Sequence, residues 1–118
     1  MSIERLSTAS LEKLFKNQVK ESATCVIKFY SNECHFCHAL KDEYEATANK
    51  FDDVLFFAYN IDDEPSIDHI VKINGVPTVS MVKTGLRQKI SFLSDPEAPH
   101  EEMWYHPGTI ASFIEKEK

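Results

Sequence analysis

Cys34 and Cys37 constrain this chain more than any other feature, because of what flanks them. Ahead runs an apolar stretch, Thr24 to Tyr30, with the character of a central strand covered on both faces; Lys28 interrupts it. Behind, Cys37, Leu40, Tyr44, Ala48 and Phe51 recur at intervals of three and four, the stripe of an amphipathic helix. The pair therefore stands where a strand turns into a helix. There the free N–H groups and the positive end of the helix dipole face Cys34. That field stabilises a thiolate, the form of cysteine that attacks disulfides. Cys37 belongs to the core-facing stripe and Cys34 lies outside it, which predicts an exposed attacking thiol and a sheltered resolving one.

The rest of the chain follows from this junction. Val54 to Ile61 is a second buried strand, so strand, helix and strand form a parallel, right-handed βαβ unit. Upstream, Ile3 to Leu6 predicts a short edge strand. Ser7 or Thr8 caps a helix whose apolar face is Leu11, Leu14, Phe15 and Val19. Downstream, Asp62-Asp63-Glu64-Pro65 is a turn, and Pro65 suits the first turn of a short helix with Ile67, Ile70 and Val71 inward. Val76-Pro77-Thr78 leads into a strand over Val79 to Val82. Lys83-Thr84-Gly85 turns the chain, and Leu86 to Phe92 returns antiparallel. Ser94 to Glu102 is an acidic, proline-containing loop, and Met103-Trp104-Tyr105 is a short strand or a packed loop. Pro107-Gly108 opens a last helix with Ile110, Phe113 and Ile114 inward. The order is β-α-β-α-β-α-β-β-α. At 118 residues it predicts one α/β domain spanning 1–118.

Charge and cysteine count narrow the class. Thirteen Lys and Arg against 19 Asp and Glu give a net charge of −6, the wrong sign for a nucleic-acid footprint. Three cysteines suit a reactive pair plus one bystander better than a disulfide framework. Cys25, inside the apolar strand, is read as a buried, inert small hydrophobe. The N-terminus lacks an apolar signal core and no apolar run approaches membrane-spanning length, so the expectation is a cytoplasmic monomer with no membrane partner.

The element order, Lys28-Phe29-Tyr30-x-x-x-Cys34-x-x-Cys37, and Gly75-Val76-Pro77-Thr78 about forty residues on together resemble the thioredoxin family. Phe29-Tyr30 is similar to protein disulfide isomerase domains. Asn60-Ile61-Asp62 resembles the end of the family's next strand, and Tyr105-His106-Pro107-Gly108 its lead-in to the last helix. The resemblance implies a thioredoxin fold, a central mixed β-sheet with helices on both faces. It implies that Cys34 attacks a protein or small-molecule disulfide and that Cys37 resolves the mixed disulfide. The Cys34–Cys37 pair is then its own redox group, with no further cofactor and no metal, and an external reductase or oxidant resets it. Pro77 matches the family's cis-proline, and Val76 before it offers its backbone to an extended substrate.

Four departures from the family pattern bear on the chemistry. Glu33 stands where the family has Trp before the first cysteine. Lys28 replaces the family's buried acid, which is thought to help deprotonate the resolving thiol. Ala58 replaces the lysine that partners this acid. His35-Phe36 separates the cysteines. A cation at Lys28, His35 or His38 favours a Cys34 thiolate, and Glu33 disfavours it. A unit charge at ~4 Å is worth about 4 kcal/mol at an effective dielectric of 20, so one neighbour moves a thiol by a pKa unit or more. If cations prevail, the disulfide becomes more oxidising. Lys28 serves as a base for Cys37 only when neutral; otherwise water, His38 or another acid takes the proton. Alternatively its stem snorkels and the amine does no chemistry.

Other readings of the same residues remain. Cys34-His35-Phe36-Cys37-His38 also fits the c-type haem attachment pattern, but that chemistry needs export and leaves Pro77 unexplained. Cys34, His35, Cys37 and His38 supply zinc-type ligands; their spacing does not wrap one ion, which leaves a metal or iron–sulfur cluster bridged between two chains. A third reading is a binding module without turnover. Trp104, Tyr105 and His106 either border the substrate groove or pack as an aromatic cluster, and His69 and His100 read as surface residues.

Overall fold

The computed structural model describes residues 3–118. Five strands form one mixed sheet in the order β1-β3-β2-β4-β5. They are β1 (Glu4–Arg5), β2 (Thr24–Tyr30), β3 (Leu55–Asn60), β4 (Thr78–Lys83) and β5 (Lys89–Phe92). β1, β3 and β2 are parallel, and β4 runs antiparallel to both its neighbours, β2 and β5. Strand alternation sends β2 to both faces. Val26 packs beneath helices α2 (His35–Ala48) and α3 (Thr109–Glu117), among Leu40, Tyr44, Ile110 and Ile114. Ile27 and Phe29 face the other way, against α1 (Thr8–Phe15), with Leu11, Leu14 and Val71. No helix among the described residues is long and apolar enough to cross a membrane.

Local chemistry sets the helix ends. The Ser7 hydroxyl accepts from the Ser10 N–H at 3.1 Å and caps α1. α1 then stops at Phe15, short of Val19. Asn17 adopts the left-handed conformation (φ 59°), and the Gln18 N–H reaches back to the Lys13 carbonyl, a Schellman-type ending. Val19 still packs against the core, but from the loop. Gly108 (φ 83°) caps α3 and donates its N–H to Glu43 Oε2 at 2.9 Å, fixing α3 to α2. Gly85 (φ 124°) turns β4 toward β5, and a Cβ there would stand 2.9 Å from Ser22 Oγ.

The third of the four expected helices, the short one after Pro65, does not form as an α-helix. Two 3-10 turns, Ile61–Asp63 and Ile67–His69, occupy the crossover instead. Its backbone hydrogen bonds mostly close over three residues, with a single four-residue bond from the Val71 N–H to the Ile67 carbonyl; Ile67 and Val71 bury themselves nonetheless.

Candidate active site

The loop that carries the cysteines leaves β2 at Tyr30 and becomes α2 at His35. Its shape is set by three polar side chains. The Asn32 N–H donates to Asp62 Oδ2 at 2.9 Å, and Asn60 Nδ2 donates to Asn32 Oδ1 at 2.8 Å. Asn60 Oδ1 in turn accepts from the Asp62 N–H at 2.9 Å. The His38 ring Nε2–H donates to the Asn32 carbonyl at 2.8 Å. The end of β3 thus holds the loop from one side and the first turn of α2 from the other. The sequence marks Asn60 and Asp62 only as a strand end, and nothing in a linear pattern pairs them with Asn32, so far away in the chain.

Cys34 is the N-cap of α2, and its Sγ accepts from the Cys37 N–H at 3.0 Å. The sulfur occupies the place where an N-cap oxygen normally satisfies the helix, so the helix terminus that stabilises an anion is addressed to this atom. Cys34 and Cys37 are joined as a disulfide, with Cα atoms 5.2 Å apart. Cys34 is half-buried, whereas Cys37 is 2 % exposed. Cys25 is a free, buried thiol whose pKa desolvation raises, which keeps it protonated and inert.

Glu33, His35 and His38 are exposed around the pair. Phe36 is half-buried, and its ring lies 5.5 Å from that of Trp104. Trp104 in turn lines a hollow of about 230 Å³ with Asn74, Gly75, Val76, Pro77 and Asp95. The Val76–Pro77 peptide is cis. Register places Thr78 opposite Phe29, so Pro77 opens β4 beside the end of β2, where the cysteine loop departs. Tyr105, fully buried, donates its hydroxyl to the Pro77 carbonyl at 3.4 Å. The loop after β5 therefore folds back onto the site. His106 donates to the Ala98 carbonyl at 2.6 Å, and His100 Nδ1 accepts from the Glu102 and Met103 N–H groups at 3.2 and 3.3 Å. Trp104 thus lines the hollow beside Pro77, Tyr105 is core, and His106 and His100 brace the loop.

Lys28 does not snorkel free: it is 6 % exposed, on the sheet face beneath α2. Its Nζ lies 5.1 Å from the centroid of the Tyr44 ring and 5.7 Å from that of Tyr30. Ala58 stands beside it across the β2–β3 pair, too small to offer a counter-charge. Desolvation, the largest influence, pulls the amine down from 10.5 to about 8. Among the described residues no group of three or more His, Cys, Asp or Glu is disposed to hold a metal ion.

A half-exposed and a buried cysteine, disulfide-linked at a helix N-terminus beside a strand-opening proline, define a dithiol redox domain in structural terms. The thioredoxin family model matches residues 6–98, and the chain belongs to that family. It is 29% identical over 82 residues to thioredoxin H2 of Arabidopsis thaliana, a match covering 69% of this chain and 62% of that protein. It is 27% identical over 71 residues to the mitochondrial thioredoxin-3 of Saccharomyces cerevisiae, covering 60% and 56%. It is also 30% identical over 86 residues to bloodstream-specific protein 2 of Trypanosoma brucei brucei, of which the match covers 17%. The chain thus spans less than two thirds of the length of each of these curated relatives. The Trx4 domain of ERdj5 superposes with a TM-score of 0.73 at 17% identity, over 98% of this chain and 95% of that one. Oxidised yeast mitochondrial thioredoxin 3 superposes with a TM-score of 0.68 at 20% identity, over 97% and 94%. The thioredoxin fold of the chain, a mixed five-stranded sheet flanked by three α-helices, is the one these structures share.

Proposed function

We propose that the protein is a thiol–disulfide oxidoreductase in which Cys34 attacks and Cys37 resolves. The observation that carries this reading is the unequal exposure of two bonded sulfurs at the N-terminus of α2. In the reduced protein the Cys34 thiolate attacks one sulfur of a substrate disulfide. The substrate's other sulfur leaves as a thiolate, and a mixed disulfide remains. Cys37 then attacks Cys34 Sγ, closes the Cys34–Cys37 bond and releases the second substrate thiolate. Two electrons pass from the dithiol to the substrate, and an external reductase restores them; with an oxidant the cycle runs backward. The redox group is the Cys34–Cys37 pair itself, with no added cofactor.

Substrates are protein or small-molecule disulfides. The hollow beside Val76 and Pro77 supports an extended peptide lying next to Cys34, with the Val76 backbone as its hydrogen-bonding edge. Glu33, His35, Phe36 and His38 surround the sulfurs and set their reactivity, the histidines by favouring the thiolate and Glu33 by opposing it. The test is insulin disulfide reduction with dithiothreitol as the electron source, together with Cys34→Ser and Cys37→Ser variants. Turnover lost in both, with a mixed disulfide accumulating only in Cys37→Ser, is the expected result. A protein that forms a mixed disulfide but never turns over is a binding module, and one that binds zinc or a cluster with loss of both free thiols overturns the reading.

A further inference from the structure

Lys28 is a buried amine that the cycle just described does not use. It lines a pocket of about 320 Å³ together with Cys37, the buried sulfur of the pair. β2 supplies Lys28 and Tyr30 to this pocket, and β1 supplies Arg5. α2 supplies Cys37, His38, Lys41, Tyr44 and Glu45. Most of these groups are otherwise engaged. Arg5 is paired to Asp63 at 2.7 Å, His38 holds the Asn32 carbonyl, and the Tyr44 hydroxyl donates to sheet carbonyls. The exposed Lys41 and Glu45 act on Lys28 with opposite signs, the carboxylate raising its pKa and the amine lowering it. Lys28 Nζ itself has two aromatic rings for neighbours and no ion-pair partner among the described residues. The pocket is roomy enough to admit water between Lys28 and Cys37.

We propose that Lys28 takes the proton of the Cys37 thiol, through water in this pocket, as Cys37 closes the disulfide. The inference rests on the oxidoreductase reading above. In the step, the Cys37 thiol passes its proton to the neutral Lys28 amine, and Cys37 Sγ bonds to Cys34 Sγ. The bond from Cys34 to the substrate sulfur breaks, and the substrate leaves as a thiolate that carries the electron pair. The products are the Cys34–Cys37 disulfide, a Lys28 ammonium and the released thiolate. In the reverse direction the ammonium returns the proton as Cys37 is freed. An amine near 8 suits a proton acceptor, since about one molecule in ten holds it neutral at pH 7, against roughly three in ten thousand for an ordinary lysine.

The test is single-turnover rapid-quench kinetics with a peptide disulfide, following mixed-disulfide formation and its resolution separately from pH 6 to pH 10. In the wild type, resolution should accelerate through about pH 8. Lys28→Met should lose that limb and resolve about 100-fold more slowly, the lower end of what proton transfer contributes. Lys28→Arg, a cation that cannot accept a proton, should resolve as slowly as Lys28→Met; full rescue by arginine would reduce Lys28 to an electrostatic role and overturn the proposal. A Lys28→Met protein with the wild-type rate and pH profile would overturn it too. Failure of the wild type to form any mixed disulfide would instead refute the oxidoreductase reading. A measurement without variants covers misfolding: the Lys28 Cε resonance, titrated by NMR in the reduced and oxidised wild type. A higher midpoint in the reduced protein, from the Cys37 thiolate nearby, is expected, and superimposable curves would refute the coupling.

Discussion

Replacing Lys28 by methionine should stabilise the oxidised protein, by an amount that depends on pH in a way only a buried amine produces. In the folded chain the Lys28 ammonium loses hydration that it keeps when unfolded, and its pKa drops from 10.5 to about 8. At about 1.4 kcal/mol per pKa unit this corresponds to about 3 kcal/mol held against the fold at pH 7. The sign follows from proton counts. Between pH 8 and 10.5 the unfolded chain keeps the proton and the folded chain has lost it, so wild-type stability gains on the variant as pH rises. Methionine has no proton to exchange, and the aliphatic stem that packs under α2 is roughly preserved. The difference in unfolding free energy between the two proteins should therefore shrink by about 2 to 3 kcal/mol from pH 7 to pH 10. Cys25, Tyr44 and Tyr105 all titrate later in the folded chain than in the unfolded one and weaken both proteins at high pH. The subtraction removes them. Urea unfolding of both proteins at four pH values, with a common slope, reads the effect directly. A difference that stays constant from pH 7 to pH 10 would mean that the folded amine titrates normally, and the reasoning on Lys28 would fail with it.

Three further outcomes follow from other parts of the structure. Trp104→Ala removes the aromatic wall shared by Phe36 and the Pro77 hollow; kcat/KM for a peptide disulfide should fall about 10-fold, the size of one good aromatic contact, while a small aromatic disulfide reacts unchanged. An equal loss with both substrates would place the damage in the dithiol rather than the groove. Tyr44→Phe deletes a buried hydroxyl that donates to the Val26 and Phe57 carbonyls at 3.2 and 2.6 Å, and should lower stability by about 1 to 2 kcal/mol in chemical denaturation; no loss would mean the sheet satisfies both carbonyls by itself. The Cys34–Cys37 pair, equilibrated in glutathione buffers, should show a potential above the ~−270 mV of thioredoxin, toward the ~−180 mV of protein disulfide isomerase; a value at or below ~−270 mV would mean that Glu33 outweighs the cations.

The frame of the fold was legible because two periods meet at one place. The apolar run of β2 and the three-and-four spacing from Cys37 to Ala48 fix a strand, a junction and a helix face. From these, Cys37 inside and Cys34 at the helix start follow without further information. The spacing did not reveal what depends on contacts between distant residues. The clasp of Asn32 by Asn60 and Asp62 brings together positions 28 and 30 apart in sequence, with no pattern to mark it. The acidic loop from Ser94 reads as solvated, yet Tyr105 and Trp104 draw it onto the site, because a hydrophobic anchor at the end of a polar segment outweighs its average composition. The helix expected after Pro65 failed for the opposite reason: three apolar positions were enough to bury Ile67 and Val71, but not to propagate α-helical hydrogen bonds. Lys28 was ambiguous for a physical cause. Alternation placed it on the face shared with Val26, but whether its amine reached water depended on Tyr44 above it and Ala58 beside it.

That placement links stability to redox chemistry. In the oxidised protein neither sulfur bears a charge, and the Lys28 ammonium stands in its pocket with no anion from the dithiol to offset its lost hydration. Reduction followed by ionisation puts a thiolate into the same surroundings. Any part of the amine's roughly 3 kcal/mol penalty that this thiolate relieves is relieved in the reduced state alone. The reduced form is thereby favoured, and relief of about 1.4 kcal/mol raises the two-electron potential by about 30 mV. Cys34 contributes in the same direction, since its sulfur receives the Cys37 N–H and the positive end of α2. Glu33 opposes both from the surface, where solvent screens it more strongly than it screens a group inside the pocket. A buried amine that weakens the oxidised fold therefore makes the disulfide a better oxidant. Lys28→Met should accordingly show a more stable oxidised protein together with a lower potential, two effects that a merely structural lysine would not couple.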